Sequence, residues 1–393
     1  MTSRTRRRRI AASAGLLTSA VLLSACGGGS TETAQTPESG PVAPQAAAPS
    51  GGATGVDYAG TLREPDAAPR PGAKDKRVVV ISAGQASISS SVPVGAAKEA
   101  ATALGWKVDV YDNQLNPANA AGNVRQAIAS GANAIILDAT DCPTVKGALQ
   151  EAKAKGIQTV GMYAFDCNDP LFKSAEPPLF SGQINYGAKA NGNLGQFTEQ
   201  YGADQAKAVI AATGGKAKVI FFNLPTVTVL KYTGKGFLDE MAKCGGCEVV
   251  AQVDFTGADL GPNLQQKVTT ALLQHPEANA VKSPFTGATL LGIAPAVAQS
   301  GRASKVYVMG GEGFAPELDL LRANQGVSAV NITPSEWTGY AAVDTVNSLF
   351  TGKPVAESGL GWQLVDKGHN LPKSGGFVPA VDFKSIYKKA WGV

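Results

Sequence analysis

The side chains best suited to chemistry are two pairs of cysteines and a scatter of carboxylates. "CGGC" runs from Cys244 to Cys247, and a Cys-x-x-Cys can close on itself as a disulfide, cycle as a redox pair or help hold zinc. Redox motifs of this spacing open a helix after a strand, whereas this one follows the helical stretch "GFLDEMAK". A structural disulfide across a glycine turn is therefore expected, with redox cycling the alternative. Zinc has little support, because the only histidines, His275 and His369, have no ligand spacing to a cysteine. Two histidines also leave little room for a Ser/His/Asp or Cys/His centre, and there is no GxSxG. "ATGGKAK" (Ala212 to Lys218) lacks the spacing and the hydroxyl of a phosphate loop, and "GGEGF" (Gly310 to Phe314) is at most a tight turn after a strand. Asp138, Asp166, Glu312 and Glu336 could in principle form an acid/base pair, but nothing in their spacing demands one. No catalytic residue, metal or cofactor is expected.

The fifth cysteine, Cys26, lies in "LLSACGGGS". Arg4 and Arg6 to Arg9 make a basic head, and the apolar run from Ile10 to Ala25 ends on small residues, the pattern of a secretory signal. That run is too short and too diluted with Ala and Ser to span a membrane, which takes about 20 apolar residues. Leu23 to Cys26 resembles the lipobox of bacterial lipoprotein signals, which implies cleavage before Cys26, acylation of its thiol and a place on the extracytoplasmic face of the cell membrane. An ordinary secretory signal with a chance cysteine is the alternative; a twin-arginine signal lacks its usual apolar partners. Removing residues 1–25 takes away five arginines and no acid, which leaves 30 basic against 31 acidic side chains. The mature chain is near neutral, so charge gives no case for nucleic acid or for a membrane surface, and membrane contact is expected through the anchor only. Residues 26–75, rich in Gly, Ser, Thr, Pro and Ala, read as a flexible tether with a span of roughly 35 to 40 Å. Within it "VDYAGTLREP" (Val56 to Pro65) is open to packing as a short ordered piece.

From Lys76 on, elements that can position a site alternate. "RVVVIS" (Arg77 to Ser82) is a continuous apolar, β-branched run suited to a strand buried on both faces, and a helical stretch near Val92 to Leu104 and then "WKVDVYD" follow. "ANAIILD" and "GIQTVGMY" continue the pattern, which restarts with "AKVIFFN", "EVVAQVDF", "ANAVKSPF" and "SKVYVMGG". Such alternation is the signature of doubly wound parallel sheets, and two halves suit this length better than one very wide sheet.

"KRVVVISAGQASISSSVPVGAAKEAATALGWKVDVYD", "NPANAAGNVRQAIASGANAIILDATD", "GKGFLDEMAK", "VYVMGGEG" and "NITPSEWTGYAAVDTVNSLFTGKPV" follow one another in an order and spacing that resembles the periplasmic sugar-binding proteins of the ribose-binding type, the solute receptors of ABC importers. The resemblance implies an α/β chain of the type I periplasmic binding protein fold: two doubly wound parallel-sheet lobes with a ligand cleft between them, joined by crossover hinge strands near Gly182 to Tyr186, Thr333 and Gly359 to Gln363. Lobe 1 is then expected from residues 76–183 and 334–360, and lobe 2 from 184–333 and 361–393. It further implies a monomer that binds a sugar-like small molecule and delivers it to a membrane permease. A lipid-anchored sensor signalling to a membrane kinase or chemoreceptor is the alternative. In a strand order of 2-1-3-4-5 the strands ending at Asp138 and Tyr163 are neighbours about 4.8 Å apart, so Cys142 and Cys167, each four residues past a strand end, are expected to pair.

Ligand groups are sought just beyond strand ends, where open α/β sheets place their clefts. Ser82 and Gln85 after the first strand, with Ser87 and Ser89 to Ser91, offer hydroxyls and an amide. Asp138 closes the third strand, and Asp141 reads as the cap of the next helix. Where sugar-binding relatives carry an Asp-Arg pair, this chain has Tyr163, Phe165 and Asp166; Lys231 stands nearest the second-lobe arginine, and "SPFTG", with Phe285, replaces an Asn-Asp pair. Glu312 takes the place of a later Asp, and Thr333 lies at the last crossover with Trp337 beyond it. Fewer arginines and more rings suggest a less polar or larger-faced ligand than ribose, with a nucleoside or other aromatic molecule as the alternative.

Overall fold

The apolar runs become strands because alternate side chains feed two cores. In β1 (Arg77–Ser82), Val78 and Val80 face one cluster and Val79 and Ile81 the other, all fully buried. The computed structural model describes residues 55–393, so the expected signal, Cys26 and the expected tether up to residue 54 lie outside the described residues. Around β1 come α1 (Ile88–Ala103), β2 (Lys107–Asp112), α2 (Ala120–Ala129), β3 (Ala134–Asp138), α3 (Cys142–Ala154), β4 (Gln158–Met162) and β5 (Gly182–Gln183). They form a parallel sheet of order β2-β1-β3-β4-β5.

The second lobe repeats the plan with α4 (Leu194–Ala212), β6 (Lys218–Asn223), α5 (Thr228–Met241), β7 (Glu248–Asp254), α6 (Pro262–Gln274) and β8 (Ala280–Lys282). It continues through the short α7 (Thr286–Ala288), a π turn over Thr289–Ile293, α8 (Ala294–Gln299), β9 (Tyr307–Met309), α9 (Ala315–Ala323) and β10 (Ala329–Ile332). After β10 the chain returns to the first lobe as α10 (Ser335–Thr351), crosses back to β11 (Gln363–Asp366) and ends in α11 (Phe383–Trp391). The second sheet has the order β11-β10-β9-β8-β6-β7, parallel except for β11, which runs antiparallel to β10. Among the described residues no helix is long and apolar enough to cross a membrane. Together the two sheets make the type I periplasmic binding protein fold.

Two stretches depart from the expected domain plan. Residues 361–393 are expected with lobe 2, yet α11 packs on α10 in lobe 1. Phe383, Tyr387 and Trp391, spaced i, i+4, i+8, share one face; Phe383 stacks on Trp337 at 4.8 Å, and Trp391 on Tyr340 at 5.9 Å. Residues 55–75 are not tether but a strap laid across both lobes. Val56 is buried with Ala206, Val209 and Leu364 in lobe 2, and the backbone N–H groups of Thr61, Arg63 and Asp66 donate to Trp362, Gly359 and Glu357 of the last crossover at 2.8 to 3.0 Å. Arg70 then reaches lobe 1, where its Nε donates to Asp344 of α10 at 2.6 Å with both side chains buried. Composition hid this strap, because its hold rests on hydrogen bonds and one ion pair rather than on a run of large apolar groups.

Both disulfides form as expected. Cys142–Cys167 joins the start of α3 to the loop after β4, with Cα atoms 4.9 Å apart, and Cys244–Cys247 closes the turn after α5. Asp141 does not cap α3 through its side chain; its Oδ1 accepts from the Phe165 N–H at 2.9 Å and ties the same two loops. The bridge between Cys142 and Cys167 spans 25 residues, a closure worth about 3 kcal/mol in the chain-entropy picture. The double change Cys142→Ser, Cys167→Ser should move the urea unfolding midpoint down, with a slope no smaller because the unfolded chain is less confined; an unmoved midpoint would show that this loop is held without the bridge.

Candidate ligand-binding cleft

The strand ends of both sheets converge on one cavity of about 170 Å³, below the roughly 300 to 1,000 Å³ of pockets for drug-sized ligands and so suited to a compact molecule. Lobe 1 supplies Ser87, Ser89 and Ser90 from the start of α1, Asp138 from β3 and Tyr163 from the end of β4. Lobe 2 supplies Leu224 and Val227 after β6, Phe285 after β8 and Glu312 after β9, and the crossover supplies Thr333 and Ser335. Helices α4 and α5 complete that wall with Phe197, Thr198, Tyr201, Leu230 and Thr233. They can do so because Gly202 lies against the Thr233 carbonyl and Gly236 against that of Glu199, an approach with no room for a side chain.

Asp138 is the most unusual group. It is 1% exposed, its Oδ2 accepts from the Ala83 N–H at 3.2 Å, and its Oδ1 has no partner in the protein. Burial pushes its carboxyl up to about 7, the Ser90 hydroxyl and Ala83 N–H offsetting only part of that. The buried Ser89 hydroxyl, which also lines the cavity from lobe 1, is likewise unpartnered. Ala139 and Tyr163, both at strand ends on the cavity, have φ of 42° and 57°, a left-handed backbone that non-glycine residues avoid and that clusters at functional sites. The Tyr163 hydroxyl pairs with the Thr338 hydroxyl at 2.8 Å, and burial pushes the phenol up to about 12.

Glu312 is held by its own turn. Glu317 accepts from the N–H groups of Gly311 and Gly313 at 2.7 and 2.9 Å and from the Thr286 hydroxyl at 2.6 Å, and Glu312 accepts from the Thr286 N–H at 2.5 Å. Gly311 sits against the Thr286 backbone and Gly313 has φ of 80°, so "GGEGF" can be this tight only with glycine at both places. Behind it Lys282 is buried, its ammonium donating to the Ser283 carbonyl; burial pulls it down to about 7 against the opposing pull of Glu312 and Glu317.

Of the ten ligand residues expected, the structure brings Asp138, Tyr163, Phe285, Glu312 and Thr333 to the cavity. It takes five elsewhere. Asp166 is buried and accepts from the N–H groups of Cys167, Leu179 and Phe180 at 2.7 to 3.0 Å, so it organises the loop after β4. Trp337 is fully buried, donates to the Ser358 carbonyl at 2.8 Å and belongs to the α10–α11 core. Ser82 is buried and accepts from the Gln85 amide at 2.7 Å, and neither side chain lines the cavity. Phe165 stacks on Tyr232 of lobe 2 at 4.9 Å, outside the cavity wall. Beside that stack the Tyr232 hydroxyl donates to Asp169 at 2.8 Å, so two contacts already cross the cleft rim. Lys231 is exposed and takes no part. Leu224 and Val227 stand just past the end of β6, where the sequence signal for a cleft wall exists but, being aliphatic, does not differ from that of a core residue. Phe197, Thr198 and Tyr201 carried no such signal, because they sit inside a helix.

Residues 79–354 match the family model described as the periplasmic binding protein domain. The chain belongs to this family. No curated protein matches this periplasmic binding protein in sequence. Its fold is shared with a 5-methylthioribose transporter solute-binding protein of Thermotoga lettingae, solved with 5-methylthioribose, at 18% identity over 78% of this chain and 89% of that one, TM-score 0.63. An ABC transporter solute-binding protein of Burkholderia graminis, in complex with D-arabinose, is 20% identical over 77% and 99% of the two chains, TM-score 0.62. A third, from Actinobacillus succinogenes with bound D-allose, is 18% identical over 75% and 98%, TM-score 0.63. At these identities the likeness is one of fold. The family is one of solute receptors, and this periplasmic binding protein is not an enzyme.

Proposed function

We propose that this protein is the extracytoplasmic receptor of an ABC importer for a sugar-like small molecule, which it clamps between its lobes and presents to a membrane permease. Cys26 is read as its lipid attachment point. The observation that carries the reading is the pair of buried, unpartnered acceptors, Asp138 Oδ1 and Ser89 Oγ, in a cavity whose walls come from both lobes. Buried polar atoms are almost always paired, so two together on a cavity wall point to hydroxyls of a bound molecule. No Arg, Lys or His lines that cavity, which disfavours a phosphorylated or carboxylated ligand. The three related structures, with their bound sugars, support the ligand class.

A thermal-shift screen of the mature chain, with Cys26→Ser for solubility, tests the reading against sugars, polyols, nucleosides and small aromatics. A sugar or polyol at a thousandfold excess over its Kd should stabilise the protein by about 4 kcal/mol. Response to nucleosides or aromatics alone would overturn the ligand class.

A further inference from the structure

We propose that the cleft selects an amphipathic ligand, a hydroxylated compound with a short apolar substituent such as an alkyl or thioalkyl group, over the fully hydroxylated parent sugar. This rests on reading the cavity as the ligand site.

The two walls differ in what they leave free. On the lobe 1 side Asp138 Oδ1 and Ser89 Oγ are buried and unpartnered. On the lobe 2 side Leu224, Val227, Leu230 and Phe285 offer carbon only. The hydroxyls among them have their protons committed and offer a ligand no donor: Thr198 donates to the Leu194 carbonyl at 2.9 Å, Thr233 to the Val229 carbonyl at 3.0 Å, and Tyr201 to the Asn331 carbonyl at 2.7 Å. Glu312 accepts from the Thr286 N–H and approaches from the crossover end of that wall. A sugar carries hydroxyls around its whole edge. Those turned to the face of Leu224, Val227, Leu230 and Phe285, away from Glu312, would lose water without gaining a partner, which is costly, whereas an alkyl or thioalkyl group there gains from burial. Polarity is thus segregated across the cleft, and the ligand must match it.

Isothermal titration of the mature chain with two matched pairs tests this: D-ribose against 5-methylthio-D-ribose, and L-galactose against its 6-deoxy form, L-fucose. The less hydroxylated member should bind about tenfold tighter or better in at least one pair, as burial of one or two carbon-sized groups in place of a hydroxyl implies. Leu230→Asn, which puts a hydrogen-bonding group on the carbon wall, should shrink that ratio at least threefold. If the parent sugar binds as tightly or tighter in both pairs, the inference fails and the sugar-receptor reading stands. A ratio unmoved by Leu230→Asn would place the apolar group elsewhere and overturn the assignment. Silence from all four compounds, with another sugar or polyol of the thermal-shift panel still stabilising the chain, would overturn the inference and leave the receptor reading standing.

Discussion

Arg70→Ala should lower the melting temperature of the unliganded protein by roughly 6 to 10 °C. Arg70 and Asp344 are each about 5% exposed or less, and the Asp344 carboxylate is shared between the Arg70 Nε at 2.6 Å and the Trp391 indole N–H at 2.7 Å. Burial already pushes the Asp344 carboxyl up, with Arg70 the main opposing pull. Removing the guanidinium leaves a buried carboxylate with one partner, at a cost of about 3 to 5 kcal/mol. In a domain of this size each kcal/mol moves the melting point by about 2 °C. Arg70 also donates to the carbonyls of Ala68 and Asp66, and its own carbonyl accepts from Asn347. The same change therefore loosens the strap from α10. Arg125→Ala, which breaks a half-exposed pair with Glu151, is the control and should leave the melting temperature close to that of the wild type. Equal melting points for the two variants would show that residues 55–75 do not belong to the folded unit.

Asp138→Asn should make the unliganded protein more stable at pH 8 than the wild type while weakening its binding. The ordinary carboxyl of an unfolded Asp titrates near 4, whereas burial holds this one up to about 7 in the fold. Between those values the folded chain keeps a proton that the unfolded chain has released. Stability therefore falls as pH rises from about 4 through about 7, and the full loss, up to about 4 kcal/mol, is present above 7. Asparagine does not ionise and escapes it. Urea unfolding at pH 5 and pH 8 reads the effect directly: the wild type should lose stability over that interval more steeply than Asp138→Asn. A variant less stable than wild type at pH 8 would mean that the carboxylate supports the fold and is not held in reserve for a ligand.

How much of this was legible in the sequence depends on whether the deciding contact was local. The strands were, since a β-branched run such as Val78 to Ile81 declares a strand buried on both faces, and so was the adjacency of β3 and β4 that joins Cys142 to Cys167. Strand ends located Asp138, Tyr163, Phe285, Glu312 and Thr333 at the cavity. The rule failed where a side chain had a better offer from far along the chain. Asp166 stands three residues past Tyr163 like a ligand group, but the N–H groups of Leu179 and Phe180 take it. Trp337 follows the crossover, yet it turns into a core built by α11, whose Phe383 lies 46 residues on. Arg70 and Asp344 are 274 residues apart, so a Pro- and Ala-rich stretch gave no sign of the ion pair that pins it.

The central claim is that one small molecule is held by both lobes at once, because a receptor of this kind gains closed-state affinity only through groups that meet on closure. The most direct measurement is calorimetric titration of the tightest-binding sugar of the panel into wild type, Asp138→Asn from lobe 1 and Glu312→Gln from lobe 2. At pH 8, where Asp138 is ionised, each substitution removes a carboxylate acceptor worth about 1.5 to 3 kcal/mol, so each should weaken binding by about ten- to a hundredfold. If Asp138→Asn abolishes binding while Glu312→Gln, and Phe285→Ala beside it, leave affinity untouched, the molecule rests on one lobe alone and the clamping mechanism is contradicted.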